Sequence, residues 1–300
     1  MFIIKNKFIF LTISAVIVLS SILAVILFGL KKSIDFTGGT QLEVNYTTSV
    51  PDMALINAVL EKDKVSGAIT QLQGTNGLSI KSNPLSETER TTLVSDLSLN
   101  NVYPLTQTSF TSIGPSVGRE LASKAIFAII IVVIAIVLYI AFAFRGVSKP
   151  VASWKYGLIA IATLVHDIAI PSGVFAVLGH FYGAEVDTLF VIALLTVLGI
   201  SVSDTIVVFD RIRENLKNHT APTFADTVGK SLNQTFVRSI NTSLTVILVL
   251  VCLFFFGPAA TKNFSLVLIV GMFFGTYSSI FVASPILVIT ESLQHKKGKK

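Results

Sequence analysis

Asp204 lies in the run Leu189–Phe209 (LFVIALLTVLGISVSDTIVVF), and Arg238 near the start of Val237–Phe256 (VRSINTSLTVILVLVCLFFF). Both runs are otherwise apolar enough to cross a bilayer. An ionisable side chain at membrane depth costs several kcal/mol, so it faces protein or water and serves ions or protons. An acid and a base in neighbouring spans have the chemistry of a proton-carrying device. The carboxyl binds and releases H⁺, and the guanidinium, charged at any physiological pH, is the fixed counter-charge. Asp204 precedes Arg211 by seven residues, roughly 10 Å along a helix. The 3-4-3 spacing of Ser201, Asp204, Val208 and Arg211 predicts one helix face, with Ser201 hydrogen-bonding the carboxylate. A static ion pair that fixes helix packing is the alternative.

Arg238, Asn241, Thr242 and Thr245 fall at i, i+3, i+4 and i+7, a polar stripe predicted to face a hydrated interior. Arg238 as an interfacial anchor that snorkels to the headgroups stays open. His166 and Asp167 sit in the middle of another apolar run. Neighbours on a helix diverge by about 100° and do not face one partner, so they are expected to point apart. Thr163, Asp167 and Pro171 share a face, and Pro171 is expected to kink the helix and free a carbonyl. Both a second relay step and a structural hydrogen-bonding role remain open for this pair. Alternating charges in Asp210–Asn215 (DRIREN) suggest that Arg211 and Glu214 tie the loop after Asp204 to the Arg238 segment.

The elements that must hold these groups follow from hydropathy. The chain has 300 residues, 52% hydrophobic and 13% charged, against about a quarter charged in a soluble domain. It reads as a polytopic α-helical membrane protein. Six segments approach the roughly 20 apolar residues a span requires: Phe8–Leu30, Ala125–Phe144, Gly157–Gly179, Thr188–Phe209, Val237–Phe256 and Phe264–Ile289. The first exceeds the roughly 7–15 apolar residues of a signal peptide and lacks a cleavage site, so it is expected to remain as an anchor. The net charge of +6 sits in loops flanking spans, which argues against nucleic acid. The single cysteine, Cys252, excludes an intrachain disulfide and argues against a metal cluster; no cofactor is implied. Lys5, Lys7, Arg145, Lys149, Lys155, Arg211, Arg213, Lys217, Lys230 and the tail Lys296, Lys297, Lys299 and Lys300 fall on one side. Glu185, Asp187 and Lys262 fall on the other. The positive-inside rule then places both termini in the cytoplasm.

Residues 31–122 form the one large loop, on the outer side, between the anchor (1–30) and a five-helix domain (123–292) with a basic tail (293–300). Its nine acids and seven bases contrast with the basic remainder. Gln41–Thr47 alternates Leu42, Val44 and Tyr46 as a strand does. Asp52–Lys62 places Met53, Ile56 and Leu60 at helical spacing behind Pro51. Ala68–Gln73 and Leu78–Ser82 flank Gly74–Gly77 (GTNG), a hairpin in which Asn76-Gly77 is expected to take positive φ. Ser86 and Glu89 form a capping-box pattern opening a helix to about Leu99, before a last strand around Val102–Phe110. The order βαββαβ predicts an α+β, ferredoxin-like sandwich. Nothing in it resembles a catalytic constellation, leaving a folded spacer or a surface for a protein client.

Several segments together resemble the SecF branch of the SecD/SecF family, from the bacterial Sec protein-export machinery. They are Asp35–Thr40 (DFTGGT) after the first span, Ile113–Leu121 (IGPSVGREL) before the second, Val165-His166-Asp167, Ser203–Asn215 (SDTIVVFDRIREN) and Arg238–Ser243 (RSINTS). The resemblance implies a half-transporter of the resistance-nodulation-division superfamily, in the cytoplasmic membrane of a bacterium. It implies pairing with a separate SecD homologue, contact with the Sec channel and motor, and use of the proton-motive force to draw secretory polypeptides outward. In the family the aspartate at the position of Asp204 and the arginine at that of Arg238 form the proton site with an acid from SecD. Asp167, His166, Ser201, Asn241 and Thr242 are candidates to support that relay. Ser203 stands where the family often has Asn.

Three other classes compete. An intramembrane aspartic protease would need Asp167 and Asp204 to share a proton a few Å apart, and the Gly-x-Gly-Asp pattern of that class is absent. A small-molecule exporter of this superfamily carries two outer domains and about twice as many spans. A scaffolding subunit would tolerate neutral replacement of Asp204 and Arg238 together.

Overall fold

A computed structural model describes residues 2–144 and 151–297; Arg145, Lys149, Lys299 and Lys300 lie outside them. In chain order the elements are α1 (Phe2–Lys5), α2 (Lys7–Phe28), α3 (Ile34–Thr37), β1 (Gly39–Tyr46), α4 (Met53–Lys62), β2 (Ile69–Gln73), β3 (Gly77–Ser82), α5 (Glu87–Leu97) and β4 (Leu105–Ile113). There follow α6 (Pro115–Ala143), α7 (Ser153–Tyr182), α8 (Thr188–Lys217), α9 (Phe224–Phe256), α10 (Ala259–Ser278), a π-helical turn (Ser279–Ala283) and α11 (Ser284–Lys297). The chain divides into two compact units, Lys32–Ile126 and the combination of Met1–Lys31 with Phe127–Lys300.

In the smaller unit the four strands form an antiparallel sheet in the order β2-β3-β1-β4. Period-two alternation puts Leu42, Val44, Tyr46, Leu78 and Ile80 on one face, where Ile56 and Leu60 of α4 and Leu93 and Leu97 of α5 close over them. Each such side chain, fully buried, contributes about 1.5–3 kcal/mol. The helix starts are fixed locally. Asp52 accepts the Ala54 amide at 3.0 Å. Ser86 accepts the Glu89 amide at 3.3 Å while Glu89 accepts the Ser86 amide at 2.7 Å, a complete capping box. The bonds from Ser86 hold the Glu89 carboxyl below the usual carboxylate range.

The hairpin and the last strand differ from the sequence expectation. The positive φ falls on Gly74, at 67°, and not on Asn76-Gly77. Gly77 is required for another reason: a Cβ there would lie 2.4 Å from the Gln73 carbonyl oxygen. Leu99, Asn100 and Asn101 all take positive φ, a left-handed turn that consumes chain and delays β4 to Leu105. A bulge between Glu43 and Val44 then resets its register on β1.

The two glycine-bearing motifs meet within this unit. A Cβ on Gly118 would lie 2.7 Å from the Gly38 nitrogen, and one on Gly38 would lie 2.6 Å from the Pro115 Cα. Gly38 and Gly39 also have φ of 77° and 137°, a region L-residues rarely occupy. The start of the sheet and the first turn of α6 therefore interlock backbone to backbone, Gly39 pairing with Ile113 beside them.

Six helical stretches among the described residues are long and apolar enough to cross a membrane. Several run beyond the apolar stretches seen in sequence. α6 starts at Pro115, a residue suited to a first helical turn, α8 continues to Lys217, and α9 starts at Phe224. Hydropathy registers the apolar part of a helix and stops where the helix turns amphipathic. The last stretch is divided by the π turn, and α7 runs unbroken through Pro171. Phe144, just past α6, stacks on Tyr156 near the start of α7, and Phe209 of α8 meets both edge-on, with ring centroids 5.2–5.9 Å apart. Elsewhere α2 meets α7 closely at Gly173, where a Cβ would lie 2.5 Å from the Ser21 Cα.

Candidate functional site

Small residues bring α8 and α10 together. On α10 and the following turn, Gly271, Gly275 and Ser279 recur every fourth residue, the spacing that lets membrane helices approach closely. A Cβ on Gly271 would lie 2.3 Å from a Val197 methyl, and one on Gly275 would lie 3.0 Å from the Ser201 Cβ. Ser279 and Thr205 join their hydroxyls at 2.8 Å along the same seam. Two polar clusters sit on it.

The first holds Asp204, half-buried on α8. Thr276 of α10 donates its hydroxyl to Asp204 Oδ2 at 3.2 Å, and Ser243 of α9 is hydrogen-bonded to Thr276 in turn. An apolar groove of about 220 Å³, bordered by Ile247, Phe273 and Ile280, runs past this hydroxyl pair. Arg238 is within Coulombic range of the carboxyl, yet the two form no ion pair among the described residues. Arg238, Asn241, Thr242 and Thr245 are all exposed, which corrects the expectation that this stripe faces the interior. The inward face of α9 is a row of small hydroxyls at every fourth position: Ser231, Thr235, Ser239 and Ser243. These fit where an arginine would leave a buried charge.

The second cluster surrounds Asp167, which is completely buried. Its Oδ1 lies 2.9 Å from Nδ1 of His166, itself 3% exposed. Its Oδ2 accepts hydroxyls from Ser201 of α8 and from Ser278 of α10, the latter at 3.1 Å. Two expectations are thereby corrected. Ser201 serves Asp167 and not Asp204, because the helix face that carries it turns toward α7. His166 and Asp167 bond each other despite diverging on the helix, because the imidazole is long enough to reach back. The two aspartates share no hydrogen bond: Asp167 is held by His166, Ser201 and Ser278, and Asp204 by Thr276.

Arg211 and Glu214 pair at 2.8 Å, but within α8. The tie to α9 is made by Asn215, whose amide donates to Ser231 at 2.8 Å and to Gln234 at 2.7 Å. Thr276 and Ser278 were absent from the sequence expectation, and Ser243 entered it only as the last residue of the Arg238–Ser243 motif. A serine or threonine in an apolar helix reads as a back-bonder to its own turn. The usable signals were the four-residue rows on α9 and α10.

Comparison with known proteins agrees over nearly the whole chain. Residues 94–292 match the family described as protein export membrane protein SecD/SecF, C-terminal, and residues 24–50 match the SecD/SecF GG motif. The chain is 40% identical to the protein translocase subunit SecF of Thermobaculum terrenum, over 97% of this chain and 94% of that protein. It is 37% identical to the SecF subunit of Anaerolinea thermophila, with the same two coverages. The crystal structure of SecDF, a translocon-associated membrane protein from Thermus thermophilus, superposes with a TM-score of 0.83 at 32% identity, over 96% of this chain. The chain spans 38% of that longer polypeptide.

Proposed function

The chain belongs to the SecD/SecF family of protein export membrane proteins, and from that premise we propose how it works. It is a multi-pass membrane protein and an accessory subunit of the Sec translocase. It acts beside a SecD-type partner and takes energy from the proton gradient through Asp204. One observation carries this reading: a half-buried carboxyl on α8 is held by a hydroxyl chain from α10 and α9, with an arginine in electrostatic range. A carboxyl so placed can gain and lose a proton as its neighbours shift. Each elementary charge moved across 100 mV supplies about 2.3 kcal/mol, enough to bias a rearrangement.

The exposed stripe of Arg238, Asn241, Thr242 and Thr245 supports the partner. Set against lipid it would be costly; set against a SecD-type helix bearing an acid it is compensated. SecDF of Thermus thermophilus is a single longer chain of which this one covers the equivalent of a part, consistent with such pairing. The small unit, with its strand order and two helices on one face, reads as a ferredoxin-like sandwich on the outer side of a bacterial cytoplasmic membrane. Both termini then face the cytoplasm. Lys5, Lys7, Lys217 and Lys230 support that sidedness. The channel, its motor and the exported polypeptide are the partners implied.

Expression of the chain with a SecD-type partner, in cells depleted of both subunits, tests this reading. Restored export that collapses when an uncoupler removes the proton gradient supports it. Restored export indifferent to the gradient rejects it.

A further inference from the structure

We propose that His166 and Asp167 are a second proton-binding site of the membrane unit, a dyad holding one shared proton that it exchanges when α10 moves. The inference rests on the reading of this unit as proton-coupled, and it concerns groups that the Asp204 chemistry leaves unused.

Charge balance comes first. The pair is buried in protein, with Asp167 fully enclosed. An unpaired carboxylate there would be strongly destabilising. The polar groups recorded against the pair are Ser201 from α8, and Ser278 and Tyr277 from α10. From α2, Ser14 donates to the Phe10 carbonyl at 2.9 Å and reaches the Tyr277 hydroxyl at 3.4 Å. Asp204 lies one helical turn along α8 from Ser201. No lysine or arginine is recorded in contact with the pair among the described residues. The dyad is therefore neutral only with one proton aboard, as imidazolium with carboxylate or as imidazole with carboxylic acid. The 2.9 Å hydrogen bond between Nδ1 and Oδ1 interconverts the two forms.

Three observations argue that the proton is exchanged. The His166 Nε2 is buried without a hydrogen-bond partner among the described residues, a state that costs about 1–3 kcal/mol. A proton accepted at Nε2 lets the one on Nδ1 pass to Asp167 Oδ1, and the reverse sequence releases it. The helix changes to π geometry at Ser279, immediately beyond Ser278, and such turns recur at functional sites. Both clusters also share the same two helices. Asp204 and Ser201 lie a turn apart on α8, and Thr276 and Ser278 two residues apart on α10. A slide of α10 along its axis that breaks Thr276 from Asp204 also withdraws Ser278 from Asp167, removing a donor that favours the carboxylate. The two protonation events are thus linked through α10.

Infrared difference spectroscopy between two pH values tests this on the full chain with its SecD-type partner in lipid nanodiscs. The comparison is Asp204→Asn protein with and without Asp167→Asn, each with natural or ¹⁵N-labelled histidine. The proposal requires a carboxyl band and a label-sensitive imidazole band that survive Asp204→Asn and vanish with Asp167→Asn. Identical spectra from the two proteins overturn it, since the pair then keeps its proton permanently. Bands that follow Na⁺ at fixed pH also overturn it. Where Asp167→Asn fails to assemble, Ser278→Ala must shift the same carboxyl band, and an unshifted band rejects the dyad. Loss of gradient-dependent export with Asp204→Asn is read separately, so failure of either reading is distinguishable.

Discussion

Replacing Gly118 by alanine places a methyl group 2.7 Å from the Gly38 nitrogen and 3.2 Å from the Phe36 carbonyl carbon and oxygen. All three are backbone atoms that cannot rotate away, and Gly38 is already held at positive φ. The segment must retreat by several tenths of an ångström. Overpacking of this kind costs about 1–3 kcal/mol, partly offset by the helix propensity that alanine gains over glycine, up to about 1 kcal/mol. The net loss of about 1–2 kcal/mol falls on the small unit, where each kcal/mol lowers the melting temperature by about 4–8 °C. Hydrogen exchange should quicken across the small unit, most in β1 and β4, which start and end at the interlock. Gly157→Ala is the control, since its methyl would find only ordinary contacts at 3.8 Å or more. Unchanged melting and exchange in Gly118→Ala would show that the close approach carries no constraint, and would refute the reasoning.

Thr276→Val removes the hydroxyl given to Asp204. A hydrogen bond to a charged group is worth about 1.5–3 kcal/mol, so gradient-dependent export should fall about tenfold or more while insertion persists; export at the parental rate counts against the site. Gly271→Leu drives a side chain into Val197, whose methyl lies 2.3 Å from the site of even a Cβ, and should lower thermal stability by at least about 1–3 kcal/mol in a melting assay. Burial pushes the Tyr46 phenol up to about 12, against about 10 unfolded. The folded unit thus keeps a proton that the unfolded chain loses. Stability from this source is complete below pH 10 and drains away as pH rises toward 12. Alkaline unfolding curves should show that loss, and Tyr46→Phe should abolish it, at a cost of about 0.5–1.5 kcal/mol at neutral pH for the bond to the Leu97 carbonyl.

Much of the arrangement was legible in the residues. Alternation at Leu42, Val44 and Tyr46, the Ser86–Glu89 cap and the lengths of the apolar runs are local signals. Local physics decides such features before any tertiary contact forms. What escaped is contact between distant turns. Ser201 and Ser278 converge on Asp167 from positions 34 and 111 residues away, and helical periodicity gives a face without naming the helix it meets. Ser201 shares a face with Asp204, so the expected bond was reasonable; the orientation of α8 against α7 decided otherwise. The polar stripe from Arg238 to Thr245 was legible as a stripe, and the structure leaves it exposed on this chain. Periodicity alone could not distinguish an interior of this chain from a surface awaiting another chain. The start of β4 moved because three successive residues at positive φ, one of them Leu99, are not anticipated by turn chemistry that centres on glycine.

The central claim is that Asp204 takes up and gives up the proton that powers export. Inverted membrane vesicles holding the chain, its SecD-type partner and the channel allow export to be timed with and without an imposed proton gradient. Asp204→Asn, which keeps the size and hydrogen-bonding of the side chain and removes its titration, should lose the gradient-dependent acceleration and retain the ATP-driven rate. Acceleration equal to that of the unaltered chain, at equal abundance in the membrane, would contradict the account.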